Sequence, residues 1–271
     1  MVNLMTSTNN FFPEVSLLVT HYNRSNSLEN LLRQFKELHI SFHEIIVSDD
    51  GSKPEHLNKI KNLQSSFDFR LVTTPQNKGL GNNINKGQAQ VTSPYTLYVQ
   101  EDFLPKSVFA QHFRDALDFM QTDADLDIVR FYAYFSYPTL KPFKKGFSKM
   151  VLSPWCFNHL KFYYYSDHPH LRRTSFAEKF GPYAEGVNGD LTEYRMCISF
   201  IQNKGKGIFF NNFTELFDQV NTTQEPSTAT FRSAWKQESN SIVRLMRLVY
   251  LRYKFLKFRW DVAFLKLPSY R

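Results

Sequence analysis

YTLYVQEDFLP, residues 95–105, changes character halfway along its length. Tyr95, Thr96, Leu97, Tyr98 and Val99 are aromatic, β-branched or aliphatic without interruption. Such a run predicts a strand buried on both faces, as in a parallel sheet. Gln100, Glu101 and Asp102 follow at once, and Pro105 stands where a new helix can begin. Ligands of open α/β sheets sit beyond the carboxyl ends of the strands. Carboxylates there can hold a divalent cation, which in turn holds phosphate oxygens. The same residues also read as a solvated acidic turn capping the next helix.

Upstream, strands are predicted at Val15–Thr20, Glu44–Ser48 and Phe69–Thr73. Asn26 with Glu29, and Ser52 with Glu55, stand at capping-box spacing ahead of two helices. The first carries Leu28, Leu31, Leu32, Phe35 and Leu38 on one face; the second carries Leu57, Ile60 and Leu63. A polar helix is expected from the Asn77–Gly81 loop to about Gln90. Downstream, Phe109, Phe113, Leu117 and Met120 mark another helix, and Leu126–Phe131 another strand. This alternation predicts an α/β fold: a mostly parallel sheet flanked by helices on both faces.

Three strands end in polar clusters, His21–Arg24, Asp49–Ser52 and Gln100–Asp102, and a doubly wound sheet brings such ends to one crevice. The Asn77–Gly81 loop can offer backbone N–H groups beside them. Neither a G-x-x-x-x-G-K-[ST] loop nor a G-x-G-x-x-G fingerprint is present, so a nucleotide would be held by carboxylates and a metal.

The strings VSLLVTHYNR, IIVSDDGS, TTPQNKGLGNNINKG and YTLYVQEDFLP, in that order over residues 13–105, strongly resemble a family 2 glycosyltransferase of the Rossmann-like GT-A fold. The resemblance implies a nucleotide-diphospho-sugar donor in the crevice and Mn2+ or Mg2+ on its diphosphate. Asp49 and Asp50 match the base-contacting aspartates, Asp102 matches the metal-binding one, and Gln100 stands where another Asp is usual. Thr20, Tyr22, Asn23, Arg24, Asn77, Lys78, Gly79 and Glu101 complete the expected donor site. Ile84 replaces an arginine that many relatives carry. A Glu-Asp pair at a later helix start supplies the family's general base; Thr192 and Glu193 fall in register and Tyr194 replaces the Asp. The base is then Glu193 or Asp190, unless these two only cap their helix. The implied reaction is an inverting sugar transfer to a glycan or lipid-linked acceptor in bacterial surface polysaccharide synthesis. A degenerate domain that binds without turnover is the alternative, on the evidence of Gln100, Ile84 and Tyr194.

After Tyr132 prolines and aromatics mark irregular chain, where the resemblance places the acceptor. Trp155, Tyr163, Tyr164 and Tyr165 are candidates to stack on sugars, or core beneath loops. His159, His168 and His170 fit a turn better than a zinc site. A helix is expected from Asp190 to Gly205 and a strand at Gly207–Phe210; beyond it, Asp218 or Gln219 stands where relatives often place a metal-binding His. Residues 11–230 are expected to form the transferase domain, with 11–131 for donor and 132–230 for acceptor, and 231–271 an extension.

The 271 residues include 42% hydrophobic and 16% aromatic side chains, enough for a sizeable core. Cys156 and Cys197 are too few for a disulfide framework, and Met1–Asn10 lacks a signal-peptide pattern, so a cytoplasmic setting is expected. The whole net charge of +8 resides in residues 231–271, where ten cations face Glu238 and Asp261. A neutral body with an aromatic-aliphatic tail argues against nucleic acid as partner. On a helix, Ile242, Leu245, Met246, Val249, Tyr253, Leu256 and Trp260 share one face, with Arg244, Arg247, Arg252, Lys254, Lys257 and Arg259 elsewhere. That amphipathic pattern predicts contact of 241–270 with an anionic membrane surface, on the cytosolic face of the inner membrane, or packing on the domain.

Overall fold

The computed structural model describes residues 10–153, 155–222, 225 and 241–267. Strands β1 (Asn10–His21), β2 (Ile40–Asp49) and β3 (Arg70–Val72) alternate with helices α1 (Ser25–Glu37), α2 (Pro54–Leu63) and α3 (Leu80–Gln88). Strands β4 (Tyr95–Gln100) and β5 (Phe103–Pro105) lead to α4 (Phe109–Thr122). Then come β6 (Ile128–Arg130), β7 (Leu140–Pro142), β8 (Phe147–Met150), a 3-10 turn at His159–Tyr163 and β9 (His170–Arg173). Helices α5 (Phe176–Phe180) and α6 (Gly189–Gln202), strands β10 (Gly207–Phe210) and β11 (Phe217–Gln219), and helix α7 (Ser241–Phe264) complete it.

Among the described residues, nine strands form one sheet in the order β3-β2-β1-β4-β9-β6-β10-β8-β7, and β5 pairs with β11 apart from it. The chain winds outward from β1 to β3, then returns to the other side of β1 for β4. The crevice at that reversal opens beyond Thr20 and Gln100, which are register partners. Of these described strands, only β9 and β8 run against the others. The sequence pattern does not announce β9, which stands in what reads as irregular chain.

Alternation of side chains explains the unbroken apolar runs. Leu17, Val19, Leu97 and Val99 enter one core with α1 and α4, while Leu18 and Tyr98 enter the other with α3, α5 and α6. All six are fully buried. Each apolar side chain so buried contributes roughly 1.5–3 kcal/mol, which fixes the register of the central strands.

Neither expected capping box forms. Ser52 turns instead to Asp49, and Pro54 alone starts α2. At α1, the carboxylate of Glu225 accepts from the Asn26 amide at 2.9 Å, the Ser27 amide at 2.8 Å and the Ser27 hydroxyl at 2.6 Å. The helix is capped by a residue some 200 positions away, and Asn26 is left to bind Lys59.

Burial pushes the Glu225 carboxyl up, but the Ser27 hydroxyl and the two amides outweigh it and hold it below the usual range. Stability from such a group is present above the unfolded pKa and is lost as pH falls through the folded one. Glu225→Ala is therefore expected to cost about 1–3 kcal/mol in urea unfolding near pH 7. The difference from the parent shrinks in acid; a gap that does not depend on pH would refute the charged cap.

Candidate donor and acceptor cleft

The polar strand ends meet in a cleft of about 430 Å³ at the β1/β4 crevice. Asp49 does not line it. The side chain is fully buried, and its oxygens accept from His21, Ser52 and Thr73 while its carbonyl accepts from Lys86. Burial pushes this carboxyl up, but His21 and Ser52 prevail and hold it well below the ordinary value. Arg24 N donates to His21 Nε2, so Nδ1 of that ring carries the proton donated to Asp49. Asp49 is thus the knot that shapes the loops, and Asp50 is the one that reaches the cleft.

Asp50 accepts from Lys78 N at 2.8 Å and Gly79 N at 2.9 Å, which ties the glycine loop to β2. Gly79 needs its positive φ of 87° to aim that amide. Asn77, Gly79, Thr20, Tyr22, Arg24, Gln100, Glu101 and Asp102 line the cleft as the sequence leads one to expect. Asn23 and Lys78 do not: the Asn23 side chain accepts from Lys53 N, and Lys78 contributes its amide to Asp50. Ile84 is buried in the core, and its neighbour Asn83 takes the cleft-facing place.

A cation already stands among the acids. Arg24 Nη1 lies 3.2 Å from Asp102 and 3.6 Å from Glu101. Burial, with the charge of Asp102, pushes the Glu101 carboxyl up to about 8 against the pull of Arg24. Asp102 Oδ2 also accepts from Gln219 Nε2 at 2.9 Å, and Gln219 Oε1 accepts from Tyr134 at 2.8 Å. Gln219 rather than Asp218, which pairs with Lys106, is therefore the residue of β11 that reaches the site. Asp102 Oδ1 is buried and without a protein partner. No cluster of three or more His, Cys, Asp or Glu that could hold a metal is found among the described residues. One orphaned carboxylate oxygen fits a cation whose remaining ligands come from a diphosphate and water.

The α6 helix is capped by Asn188, whose Oδ1 accepts from Leu191 N at 2.9 Å. Asp190 and Glu193 are consequently not needed as caps, and both line the cleft. Tyr194 turns away and donates to Asp261 of α7 at 2.7 Å. Asp167, which the sequence pattern does not single out, also lines the cleft with His168.

A second groove of about 720 Å³ shares Tyr134, His168, Glu193 and Gln219 with the first. Tyr163 and the exposed Phe135 line it, as do Leu251 and Lys254 of α7. Of the other aromatic candidates, Tyr164 and Tyr165 are core and Trp155 is exposed outside the groove. His170 is buried, donates to the His168 carbonyl and is driven far below its usual pKa by burial, so it is a neutral structural ring.

Comparison with known proteins agrees with this geometry. A segment of 88 residues is 28% identical to poly-beta-1,6-N-acetyl-D-glucosamine synthases of Staphylococcus epidermidis and Staphylococcus aureus. The match covers 32% of this chain and 21% of those enzymes, so the chain corresponds to only about a fifth of their length. S. aureus TarS (residues 1–349), solved with UDP-GlcNAc, superposes with a TM-score of 0.59 at 14% identity, over 92% of this chain and 73% of its own. The mannosyltransferase PcManGT of Pyrobaculum calidifontis, solved with GDP-Man and Mn2+, gives 0.56 at 13% identity, over 93% and 74%. These likenesses give the fold, which is GT-A. The model of the family described as glycosyl transferase family 2 matches residues 16–183, from within β1 to beyond β9, and the chain belongs to that family.

Proposed function

We propose that the protein transfers a sugar from a nucleoside diphosphate to a hydroxyl of a glycan or lipid-linked acceptor, with inversion, in surface polysaccharide synthesis. The observation that carries the reading is the meeting of Asp50, the Gly79 loop, Asp102 and Glu193 in one cleft that continues into an aromatic groove. The comparisons add support: the TarS and PcManGT structures hold UDP-GlcNAc and GDP-Man. Residues 11–131 would hold the donor and 132–230 the acceptor, with Glu193 lining both cleft and groove and Asp190 the cleft.

The roles follow from position. Asp50 and the glycine loop hold the nucleotide, and Gln100 is placed for a ribose hydroxyl. Arg24 stands beside the site of the diphosphate and offsets its charge. Asp102 would hold Mn2+ or Mg2+, which when bound supplies Lewis-acid stabilisation of the leaving diphosphate. Glu193 accepts the proton of the acceptor hydroxyl as its oxygen attacks the anomeric carbon. The bond from that carbon to the diphosphate oxygen breaks, and its electron pair leaves with the diphosphate.

A panel of UDP-, GDP- and dTDP-sugars, scored for nucleoside diphosphate release with Mn2+, tests the reading. Asp102→Ala is expected to lower turnover on the order of 100-fold. Unchanged turnover would remove Asp102 from the metal, and tight donor binding without release from the parent would leave a binding domain.

The C-terminal helix supports a place of action. Phe255 and Phe258, a stripe missed in the sequence pattern, pack on the domain at 4% and 2% exposure. Met246, Val249, Tyr253, Leu256 and Trp260 face outward, 56 to 66% exposed. Ile242, Arg244, Leu245 and Tyr270 lie outside the described side chains. No described helix is long and apolar enough to cross a membrane. We read the outward face, with Arg247, Arg252, Lys254, Lys257 and Arg259 around it, as contact with an anionic leaflet, where each cation adds on the order of 1 kcal/mol. Full-length protein should float with anionic but not neutral liposomes at low salt. The double variant Leu256→Glu, Trp260→Glu should stay in the soluble fraction; equal flotation of both would end the membrane reading.

A further inference from the structure

Two positions that carry an aspartate in the family pattern are Gln100 and Tyr194 here. One carboxyl lies between the elements that bear them. Gln100 Nε2 donates to Asp167 Oδ2 at 3.3 Å, and Asp167 N donates to Glu193 Oε1 at 3.3 Å. Both side chains line the cleft, and the amide contact sets residue 167 directly beside the Glu193 carboxylate. Two carboxyl groups so close can share a hydrogen bond only when one of them keeps its proton.

We propose that Asp167 is the positioning residue for the catalytic base: its carboxyl, braced by Gln100, donates a hydrogen bond that holds Glu193 ready for the acceptor hydroxyl. The inference rests on the sugar-transfer reading for its effect on turnover, but not for the shared proton. Asp167 touches no reacting atom. The acceptor proton passes to Glu193, while the proton of Asp167 remains in the bond between them.

The surroundings favour the neutral acid at 167. Burial comes first, and the Glu193 charge second, in pushing the Asp167 carboxyl well above its usual range. Asp190 of α6 adds repulsion, the buried phenols of Tyr98, Tyr165 and Tyr183 lie within electrostatic reach, and Arg172 of β9 packs over the rings of Tyr98 and Tyr183. Arg130 of β6 lies within electrostatic reach of Glu193, as does Cys197.

Asn at position 167 keeps an N–H donor but cannot titrate, whereas Ala removes the donor. Asp167→Asn should retain turnover within about 3-fold of the parent, and Asp167→Ala should lose about 100-fold in kcat with donor KM little changed, the scale of a disabled base. The alkaline fall in kcat expected when Asp167 finally ionises should be absent from the Asn variant. Equal losses for Asn and Ala, or an alkaline limb that persists in the Asn variant, would overturn the assignment. Infrared difference spectra need no turnover: parent minus Asp167→Asn at pH 7 should show the carbonyl stretch of a neutral carboxylic acid. Its absence overturns the shared proton whatever the activity. Its presence with no diphosphate release from any donor supports the shared proton and fails the transferase reading instead.

Discussion

The site depends on one reversed strand. β9 enters the sheet between β4 and β6 against both, with Tyr98 opposite His170 and Arg130 opposite the same residue. Because its direction is opposite, β9 begins where its neighbours end. The residues before it, Asp167 and His168, are thereby delivered to the carboxyl edge together with Gln100. Parallel pairing at this place would have put them at the far side of the sheet, away from the cleft. The strand is held firmly, since Leu171 is fully buried and the Arg172 guanidinium lies over the rings of Tyr98, Phe176 and Tyr183.

The parts of the fold that could be read from sequence are those whose signal is local. Runs such as VSLLVT and YTLYV are long enough to declare burial on both faces, and polar strand ends declare a crevice. Long-range partners leave no local trace. Glu225 caps α1 from the far end of the chain, so the Asn26 box looked sufficient. Asp49 and Asp50 are adjacent and alike, yet one is consumed by His21, Ser52 and Thr73 and only the other faces the cleft. Asp167 lay in proline-rich chain, where only the pairing of β9 gives its carboxyl a neighbour. The Phe255 and Phe258 stripe was hidden among cations, since a helix with two apolar faces has no single dominant one.

The acids of the cleft are maintained at a cost. Glu101 and Asp102 are adjacent and nearly enclosed, and Arg24 is the cation set between them. Buried ion groups of this kind add little net stability because desolvation offsets their attraction. Their value is geometric: Arg24 Nη2 also donates to Asn221 and to the Glu225 carbonyl, so the segment that caps α1 is fastened at the mouth of the cleft. Charge balance and the helix cap share one guanidinium.

Tyr194 joins α6 to the tail helix. An Asp there, on the side of α6 that Tyr194 occupies, would face Asp261 of α7, and like charges would repel. Tyr194 instead donates to Asp261, which also receives Lys257, and its ring lies against Phe258. The phenol is pushed up by burial and by Asp261, so it remains a donor across the physiological range. The contact that docks α7 thus uses the place where a carboxylate would stand. Glu193, the residue before Tyr194 on α6, faces the cleft. Its contact from another element is the Asp167 amide, at 3.3 Å. The chain entering the reversed strand thus meets α6 at Glu193, while Tyr194 holds the tail helix from the adjacent position.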